Sequence, residues 1–217
     1  MLSTKVKASS VTHLTDARYF AAWEVEWLGF YLSPGDEASV EPLQVNAIRE
    51  WVDGVKTCGE FGLATAEEVR TALDLLPLDA VQVGMLTPTD TLREIAPLAP
   101  CLQEIVVESY TDPAVVEELL SEHQSLVQAF ILNFTKGGIT WQDLEGGTPI
   151  SLDQLRAWTT EYPIMLDIPL GAADPEALVE AYALQGFSVR GGEEEKVGYK
   201  SFDELDDFFE ALLVEEE

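Results

Sequence analysis

The chain has 217 residues, of which 47% are hydrophobic and 24% charged, and this composition predicts one well-packed domain spanning residues 1–217. Its 12 basic and 40 acidic residues give a formal net charge of −28, which excludes nucleic acids and anionic membranes as expected partners and suits a cytoplasm of high salt concentration. No apolar run reaches the roughly 20 residues of a membrane span, and Cys58 and Cys101 show no metal-binding or disulfide spacing, so we expect a cytoplasmic protein without metal or cofactor.

Short runs rich in Val, Ile and Phe alternate with longer amphipathic stretches along the whole chain. In chain order, the predicted strands are KVKAS (5–9), WLGFYL (27–32), VKTCGEF (55–61), AVQVGM (80–85), EIVVES (104–109), QAFILNF (128–134), PIMLDI (163–168) and FSVRG (187–191). A helical pattern follows each strand. Strict alternation of this kind predicts a parallel sheet closed into a (β/α)8 TIM barrel, with a doubly wound open sheet as the alternative.

Several of the predicted helices carry clear start signals. Capping-box spacing, in which a side-chain oxygen binds a free amide of the first turn, occurs three times. The pairs are Thr65 with Glu68, Ser151 with Gln154, and Ser201 with Glu204. Asp112-Pro113 and Asp174-Pro175 each place a capping residue before a first-turn proline. A long irregular segment, 135–149, follows the sixth strand, and a long loop at the carboxyl end of a barrel strand is usually functional.

Both ends of the chain resemble the phosphoribosylanthranilate isomerases, as does DAVQVGM (79–85). The amino-terminal stretch VKASSVTHLTDARYFAAWEVEWLGFYLSP aligns with the opening of that family without gaps. Its matching positions are Lys7, Thr12, Asp16, Ala17, Gly29, Phe30 and Pro34. Matching positions in the central and carboxyl-terminal blocks are Gln82, Gly192, Glu194, Gly198 and Lys200. The resemblance implies a barrel that performs an Amadori-type aldose–ketose isomerisation in tryptophan biosynthesis.

The same resemblance implies that the catalytic groups are substituted. The family's general base is a cysteine that falls on Ser9, and its general acid is an aspartate that falls on Asn133. A serine hydroxyl without an activating base is too weak an acid to replace a thiolate, and an asparagine amide delivers no proton. Further family positions are also changed. An arginine falls on Ala38, a histidine on Gly84, and a phosphate-binding glycine pair on Ile168 and Pro169.

The end of the eighth strand retains features of an anion site. Arg190, Gly191 and Gly192 stand where barrels often bind phosphate, and glycine lets backbone amides approach a ligand closely. Lys136 forms a second candidate contact on the same rim, and Gln82 is a third ligand-binding candidate from its matching position. The alternative for Arg190 is pairing with a carboxylate such as Glu193 or Asp167.

Other constellations leave further alternatives open. The acids Glu60, Glu108 and Asp167 stand near strand ends and offer oxygen ligands for a divalent metal. His13 is an alternative base in the first loop. If Ser9 keeps the inward orientation of the family's cysteine, strand alternation also points Lys7 into the barrel, where it needs a carboxylate or amide partner or serves as a Schiff-base lysine.

Three functions follow from these residues. The favoured one is a non-catalytic protein that binds a phosphorylated or carboxylated metabolite, or a protein partner, because several catalytic positions have changed at once. The second is an active phosphoribosylanthranilate isomerase with unusual catalytic groups. The third is a different barrel enzyme that uses Arg190, Lys136 and Asp167. The sequence carries no information on oligomeric state.

Overall fold

A closed barrel of eight parallel strands forms the centre of the molecule. The computed structural model describes residues 1–33, 35, 38–191, 194–196, 199–200 and 202–214. Its barrel strands follow one another in chain order and are β1 (Lys5–Ser9), β2 (Trp27–Tyr31), β3 (Lys56–Phe61), β4 (Ala80–Gly84), β5 (Cys101–Val106), β6 (Ala129–Asn133), β7 (Ile164–Asp167) and β8 (Gly186–Arg190). The predicted (β/α)8 barrel is confirmed, and the open-sheet alternative is wrong.

Helices follow the strands as the alternation predicts. They are α1 (Leu14–Ala22), α2 (Pro42–Arg49), α3 (Ala66–Leu75), α4 (Thr89–Ile95), α5 (Pro113–His123), α6 (Trp141–Glu145), α7 (Leu152–Glu161), α8 (Pro175–Tyr182) and α9 (Asp203–Glu210). A short antiparallel pair, β9 (Glu194–Lys196) and β10 (Tyr199–Lys200), lies between β8 and α9. No helix in the described ranges is long and apolar enough to cross a membrane.

Side-chain oxygens begin several helices where the sequence predicts them. Thr65 and Glu68 form a complete capping box at α3, and Ser151 accepts a hydrogen bond from the amide of Gln154 at α7. The two Asp-Pro pairs likewise stand at the starts of α5 and α8, where each aspartate side chain accepts a hydrogen bond from a backbone amide of the first turn. The predicted cap at Ser201 lies outside the described residues.

The strands bury both of their faces. Between the sheet and the helices lies the larger apolar core, and a smaller cluster fills the inside of the barrel. The members of the smaller cluster are Trp27, Cys58, Ala80, Leu102, Ala129, Ile131 and Met165. Because successive side chains of a strand point to opposite faces, residues two positions after these also point inward, at the carboxyl-terminal mouth of the barrel.

Two sequence predictions need correction. The fifth strand spans Cys101–Val106 rather than 104–109, so Glu104 lies inside the strand and Glu108 lies in the loop beyond it. The predicted frame was wrong because EIVVES and CLQEIV are both apolar enough to form a buried strand. The segment 135–149 also contains the short helix α6, which begins with a capping box between Thr140 and Asp143.

Candidate functional site

A hydrogen-bonded chain of four side chains crosses the mouth of the barrel from β1 to β7. The Ser9 hydroxyl accepts a hydrogen bond from the Lys7 ammonium at 2.9 Å and lies 2.7 Å from the Ser188 hydroxyl. Ser188 in turn donates to Asp167 Oδ2 at 3.0 Å. With Lys7 and Ser188 donating in this way, the Ser9 proton is directed toward Ser188, and the chain ends on a carboxylate.

Lys7 carries its charge inside the barrel because Glu60 pairs with it. The Lys7 side chain is 0% exposed and that of Glu60 3%, and the two form an ion pair. Burial is the largest single influence and opposes the charge of Lys7, but the Glu60 carboxylate and smaller contributions from Cys58 and Glu104 together outweigh it. The pKa of Lys7 is therefore raised above its ordinary value. A Schiff base requires a neutral amine, so the Schiff-base alternative is not supported, whereas the predicted pairing with a carboxylate is present.

Asn133 belongs to a second polar group on the neighbouring strands. Its amide nitrogen donates to Glu104 Oε1 at 2.7 Å, and its oxygen accepts the backbone amide of Lys136 at 2.8 Å. The Lys136 ammonium reaches the other oxygen of Glu104 at 2.6 Å. The predicted rim lysine is therefore paired with a carboxylate. Asn133, at the position of the family's acid, is buried and held by two hydrogen bonds, one to Glu104 and one from the backbone of Lys136.

Asp167, at the end of β7, is a further buried titratable group of the mouth. It is 9% exposed, and its backbone oxygen accepts the amides of Phe134 and Thr135 at 2.8 and 3.1 Å. Burial raises the pKa of the Asp167 carboxyl, and hydrogen bonds from Thr135 and Ser188 offset this only in part. A carboxyl in this environment retains a proton at higher pH than an exposed one.

The three-acid metal site that the sequence left open as an alternative does not form among Glu60, Glu108 and Asp167. Glu108 lies beyond β5, where its carboxylate binds the Tyr110 hydroxyl at 2.5 Å. Within the described part of the chain, no group of three or more His, Cys, Asp or Glu side chains is arranged to hold a metal ion. Glu104, which the sequence analysis passed over, occupies the inward position on β5 instead.

Arg190 stands on the rim as predicted. It is exposed, and one guanidinium nitrogen donates to the Ser10 hydroxyl at 3.1 Å. Ser10 also donates from its backbone amide and its hydroxyl to Glu60 Oε2, at 3.0 and 3.1 Å. The pairing of Arg190 with Asp167 that the sequence left open is absent among the salt bridges of the described residues. Glu193 and Gly192 lie outside the described residues.

The remaining predicted site residues occupy different places. Gly191 lies beside α1, since a Cβ there would come 3.7 Å from the Asp16 carboxylate. Gln82 is 7% exposed on β4, and its side-chain oxygen has no hydrogen-bond partner among the described residues. His13 is exposed and is not a hydrogen-bond partner of Ser9, so the structure does not support it as the replacement base.

A cleft of about 1090 Å³ opens beside the mouth, between the loop after β7 and helix α9. Its walls include Ser188, Arg190, Ile168, Pro169 and Phe208. Of the described ligand-binding residues that the sequence predicted, Arg190 alone lines this cleft. Ser188 connects the cleft to the hydrogen-bonded chain inside the barrel.

Glu104, Ser188 and Ser10 are the residues that sequence reasoning missed. Strand periodicity was the signal for two of them. Glu104 lies two positions after the inward Leu102, and Ser188 lies two positions after Gly186, at the level of Lys7 in the adjacent strand. No pattern marked Ser10, which takes its place through a backbone turn of positive φ after β1.

Fold and site together define a (β/α)8 barrel with a polar site at the carboxyl ends of its strands, the usual place for a functional site in this fold. No family model matches the chain. A curated phosphoribosylanthranilate isomerase from Acinetobacter calcoaceticus is 26% identical over 220 residues, which cover 97% of each chain. The solved isomerase from Thermus thermophilus is 25% identical, with a TM-score of 0.70 over 96% of this chain and 98% of that one.

The chain is therefore a phosphoribosylanthranilate isomerase-like barrel, and the resemblance drawn from its two ends is confirmed. A further solved isomerase shares this fold at 19% identity and a TM-score of 0.70, covering 96% of this chain and 98% of its own. That protein was solved in complex with reduced 1-(o-carboxyphenylamino)-1-deoxyribulose 5-phosphate.

Proposed function

We propose that this chain is a cytoplasmic protein that binds a small phosphorylated metabolite at the mouth of its barrel and does not perform the family's isomerisation. The observation that carries the proposal is the hydrogen bonding of Ser9 and Asn133, the residues at the positions of the family's base and acid. Ser9 contacts an ammonium group and another hydroxyl, and Asn133 contacts Glu104 and a backbone amide. Neither residue is both ionisable and free to exchange a proton with a substrate.

Lys7 does not activate Ser9. A general base must accept a proton at the operating pH, and the raised pKa of Lys7 keeps its amine protonated. The ammonium group therefore stabilises the Ser9 oxygen as a hydrogen-bond donor but takes no proton from it. This arrangement supports a binding role for Ser9 rather than the role of the family's cysteine.

An exposed arginine on the rim of the mouth supports phosphate binding. Arg190 is exposed at the end of β8 and uses one nitrogen toward Ser10, which leaves other guanidinium donors for a ligand. The cleft between the β7 loop and α9 brings a ligand of metabolite size to this arginine. The related isomerase that holds a ribulose 5-phosphate derivative supports a phosphorylated ligand for this fold.

The proposal is tested by isothermal titration of the full chain with ribose 5-phosphate at constant ionic strength. We expect saturable binding, and a loss of about tenfold or more in affinity for Arg190→Ala, since that variant removes a charge-assisted phosphate contact. Arg93→Ala is the matched control, because Arg93 is exposed on α4 and forms its ion pair with Asp90 of the same helix. Equal affinity in wild type and Arg190→Ala, or no binding at all, would contradict the proposal.

An enzyme that uses Asp167 is the second candidate. Its support is the chain of hydrogen-bonded oxygens that links Ser9, at the position of the family's base, through Ser188 to the buried Asp167 carboxyl, whose pKa is raised. If this candidate is correct, the gene restores growth to a tryptophan auxotroph that lacks the isomerase, and Asp167→Asn abolishes the rescue. Absence of rescue by a well-expressed chain counts against it.

A further inference from the structure

Five neighbouring strands line one side of the mouth with hydrogen-bonding side chains. β5, β6, β7, β8 and β1 are adjacent in the closed barrel. Inward residues of these strands near the mouth form what we call the polar arc, which consists of Glu104, Asn133, Asp167, Ser188 and Ser9. Two carboxylates, one amide and two hydroxyls make this surface rich in acceptors, which is the chemistry that recognises the hydroxyl groups of a sugar.

Gln82 adds an acceptor on the other side of the mouth. It follows the interior residue Ala80 by two positions on β4, so its side chain also points inward. The side chain is 7% exposed, and its oxygen has no hydrogen-bond partner in the described ranges. A buried acceptor without a donor is costly, and a ligand hydroxyl is one group that would satisfy it.

The polar arc offers little to a ligand carboxylate. The two lysines that contact it are already engaged, Lys7 by Glu60 and Lys136 by Glu104. A ligand carboxylate would lie against Glu104 and Asp167, and like charges in a partly buried site repel strongly. Asp167 itself already shows the effect of burial and of the neighbouring Glu104 charge. Ala38, at the position of the family's arginine, contributes no guanidinium group.

We infer that the ligand of this barrel is a phosphorylated sugar or polyol without a carboxylate group, whose hydroxyls bind the polar arc while its phosphate binds Arg190. The inference rests on the proposed function, which supplies the phosphate contact. It goes further because it selects between the two kinds of metabolite that the sequence leaves open, phosphorylated and carboxylated. Under this inference the ligand's phosphate is attracted by Arg190, and the carboxylates of the polar arc repel ligands that also carry a carboxylate.

Matched pairs of compounds test the inference by isothermal titration. Ribitol 5-phosphate is compared with 5-phosphoribonate, and glucitol 6-phosphate with 6-phosphogluconate. Within each pair, a terminal hydroxymethyl group replaces a carboxylate and the phosphate is unchanged. We expect at least one polyol phosphate to bind about tenfold or more tightly than its acid counterpart and than inorganic phosphate.

Variants test whether the polar arc causes the preference for polyol phosphates over acids. Glu104→Gln and Asp167→Asn remove negative charge, so each narrows the difference between polyol phosphate and acid. Asp90→Asn is the control, because Asp90 is a 90% exposed carboxylate on α4, and its loss leaves the difference unchanged. Arg190→Ala weakens the binding of both members of a pair alike, since both carry the phosphate.

The outcomes separate this inference from the proposed function. If each acid binds as tightly as its polyol counterpart, or if inorganic phosphate binds as tightly as both polyol phosphates, the inference is overturned while phosphate binding at Arg190 stands. If inorganic phosphate, the polyol phosphates and the acids all fail to bind, the proposed function and the inference fall together.

Discussion

Lys7 and Glu60 place two charges inside the barrel, where burial penalises each of them. The pair survives because neighbouring groups satisfy it, with Ser9 accepting from the ammonium and Ser10 donating twice to the carboxylate. Gly29 makes room for it, since a Cβ at that position would lie 2.8 Å from the Lys7 nitrogen. Removing one partner of such a pair leaves the other charge buried without compensation.

Glu60→Gln therefore destabilises the fold. We expect the free energy of unfolding to fall by roughly 3–5 kcal/mol, the range for breaking a buried ion pair. Glu67→Gln is the matched control, since Glu67 forms an exposed pair with Arg70, and its loss changes stability by about 1 kcal/mol or less. Urea unfolding of both variants measures the difference, and similar midpoints would show that the buried pair contributes little.

The same pair predicts a loss of stability in strong base. The folded-state pKa of Lys7 is raised above its ordinary value of 10.5. Its stabilising contribution is fully present below pH 10.5 and is lost as the pH rises through the folded-state pKa. In Glu60→Gln this source of alkaline sensitivity is reduced, so the wild-type advantage in unfolding free energy should shrink in that range.

Asp167 differs from Lys7 in that the fold disfavours its charged form, and burial therefore raises the pKa of this acid. Stability therefore falls as the pH rises from 3.8 through the folded-state pKa of Asp167. Asp167→Asn keeps the shape without the charge, so at pH 7 it should raise the free energy of unfolding by on the order of 1 kcal/mol.

This gain should vanish as the pH falls below 3.8, where the wild-type carboxyl is protonated in both the folded and the unfolded state. Asp74→Asn, on the exposed side of α3, is the control and should show no such dependence. A destabilised Asp167→Asn at pH 7 would indicate that the ionised carboxylate supports the fold.

Side-chain periodicity allowed some of these residues to be placed from the sequence. Ser9 and Lys7 share the inward face of β1 as their spacing predicts, and Asn133 ends β6. Glu104 was missed because the frame of β5 depends on which half of a long apolar run pairs with its neighbours. The residues that form β5 are selected by its register with β4 and β6. Pairing with distant strands cannot be deduced from the sequence of the segment itself.

At the level of elements, local signals predict helix starts better than strand ends. The capping box at α3 was predicted because a side-chain oxygen at the right spacing acts within one turn. The capping box of α6 has the same spacing, yet its helix of 5 residues is too short to produce a periodic pattern. Strand ends are set by pairing across the barrel.

Thr65→Ala should cost about 1 kcal/mol of unfolding free energy, the usual contribution of a capping side chain. Thr160→Ala, within α7, removes only a hydrogen bond to its own helix and serves as control. Hydrogen bonds from the Thr65 backbone and side chain lower the pKa of Glu68 below 4.5, so the stability they provide is present above that pH and lost as the pH falls. Thermal unfolding near pH 7 and near pH 3 checks both points. A Thr65→Ala deficit of the same size at both values would contradict the role of Glu68.

Taken as a whole, the molecule combines an ordinary barrel core with an unusual surface charge. Barrel closure follows from eight alternating units and was predictable, whereas the extent of the domain, residues 1–217, stays a prediction. With a formal net charge of −28, the acidic side chains repel one another, and this repulsion destabilises the folded state. Salt shortens the range of this repulsion from about 10 Å at 0.1 M to about 3 Å at 1 M.

We therefore expect the urea midpoint to rise between 0.1 M and 2 M KCl. A variant with four exposed acids changed to amides should show a smaller rise, because it has less charge to screen. Those acids are Glu50, Asp53, Glu94 and Glu118. A midpoint that is the same in dilute buffer and in molar salt would contradict adaptation to high salt.

The most direct test of the account is the turnover of phosphoribosylanthranilate by the purified chain. The account predicts no rate above that of the buffer, even at micromolar enzyme, in a preparation that binds ribose 5-phosphate through Arg190. Turnover that is retained in highly purified protein and lost in Asp167→Asn would contradict it, and would show that the barrel performs the family's reaction with a different base.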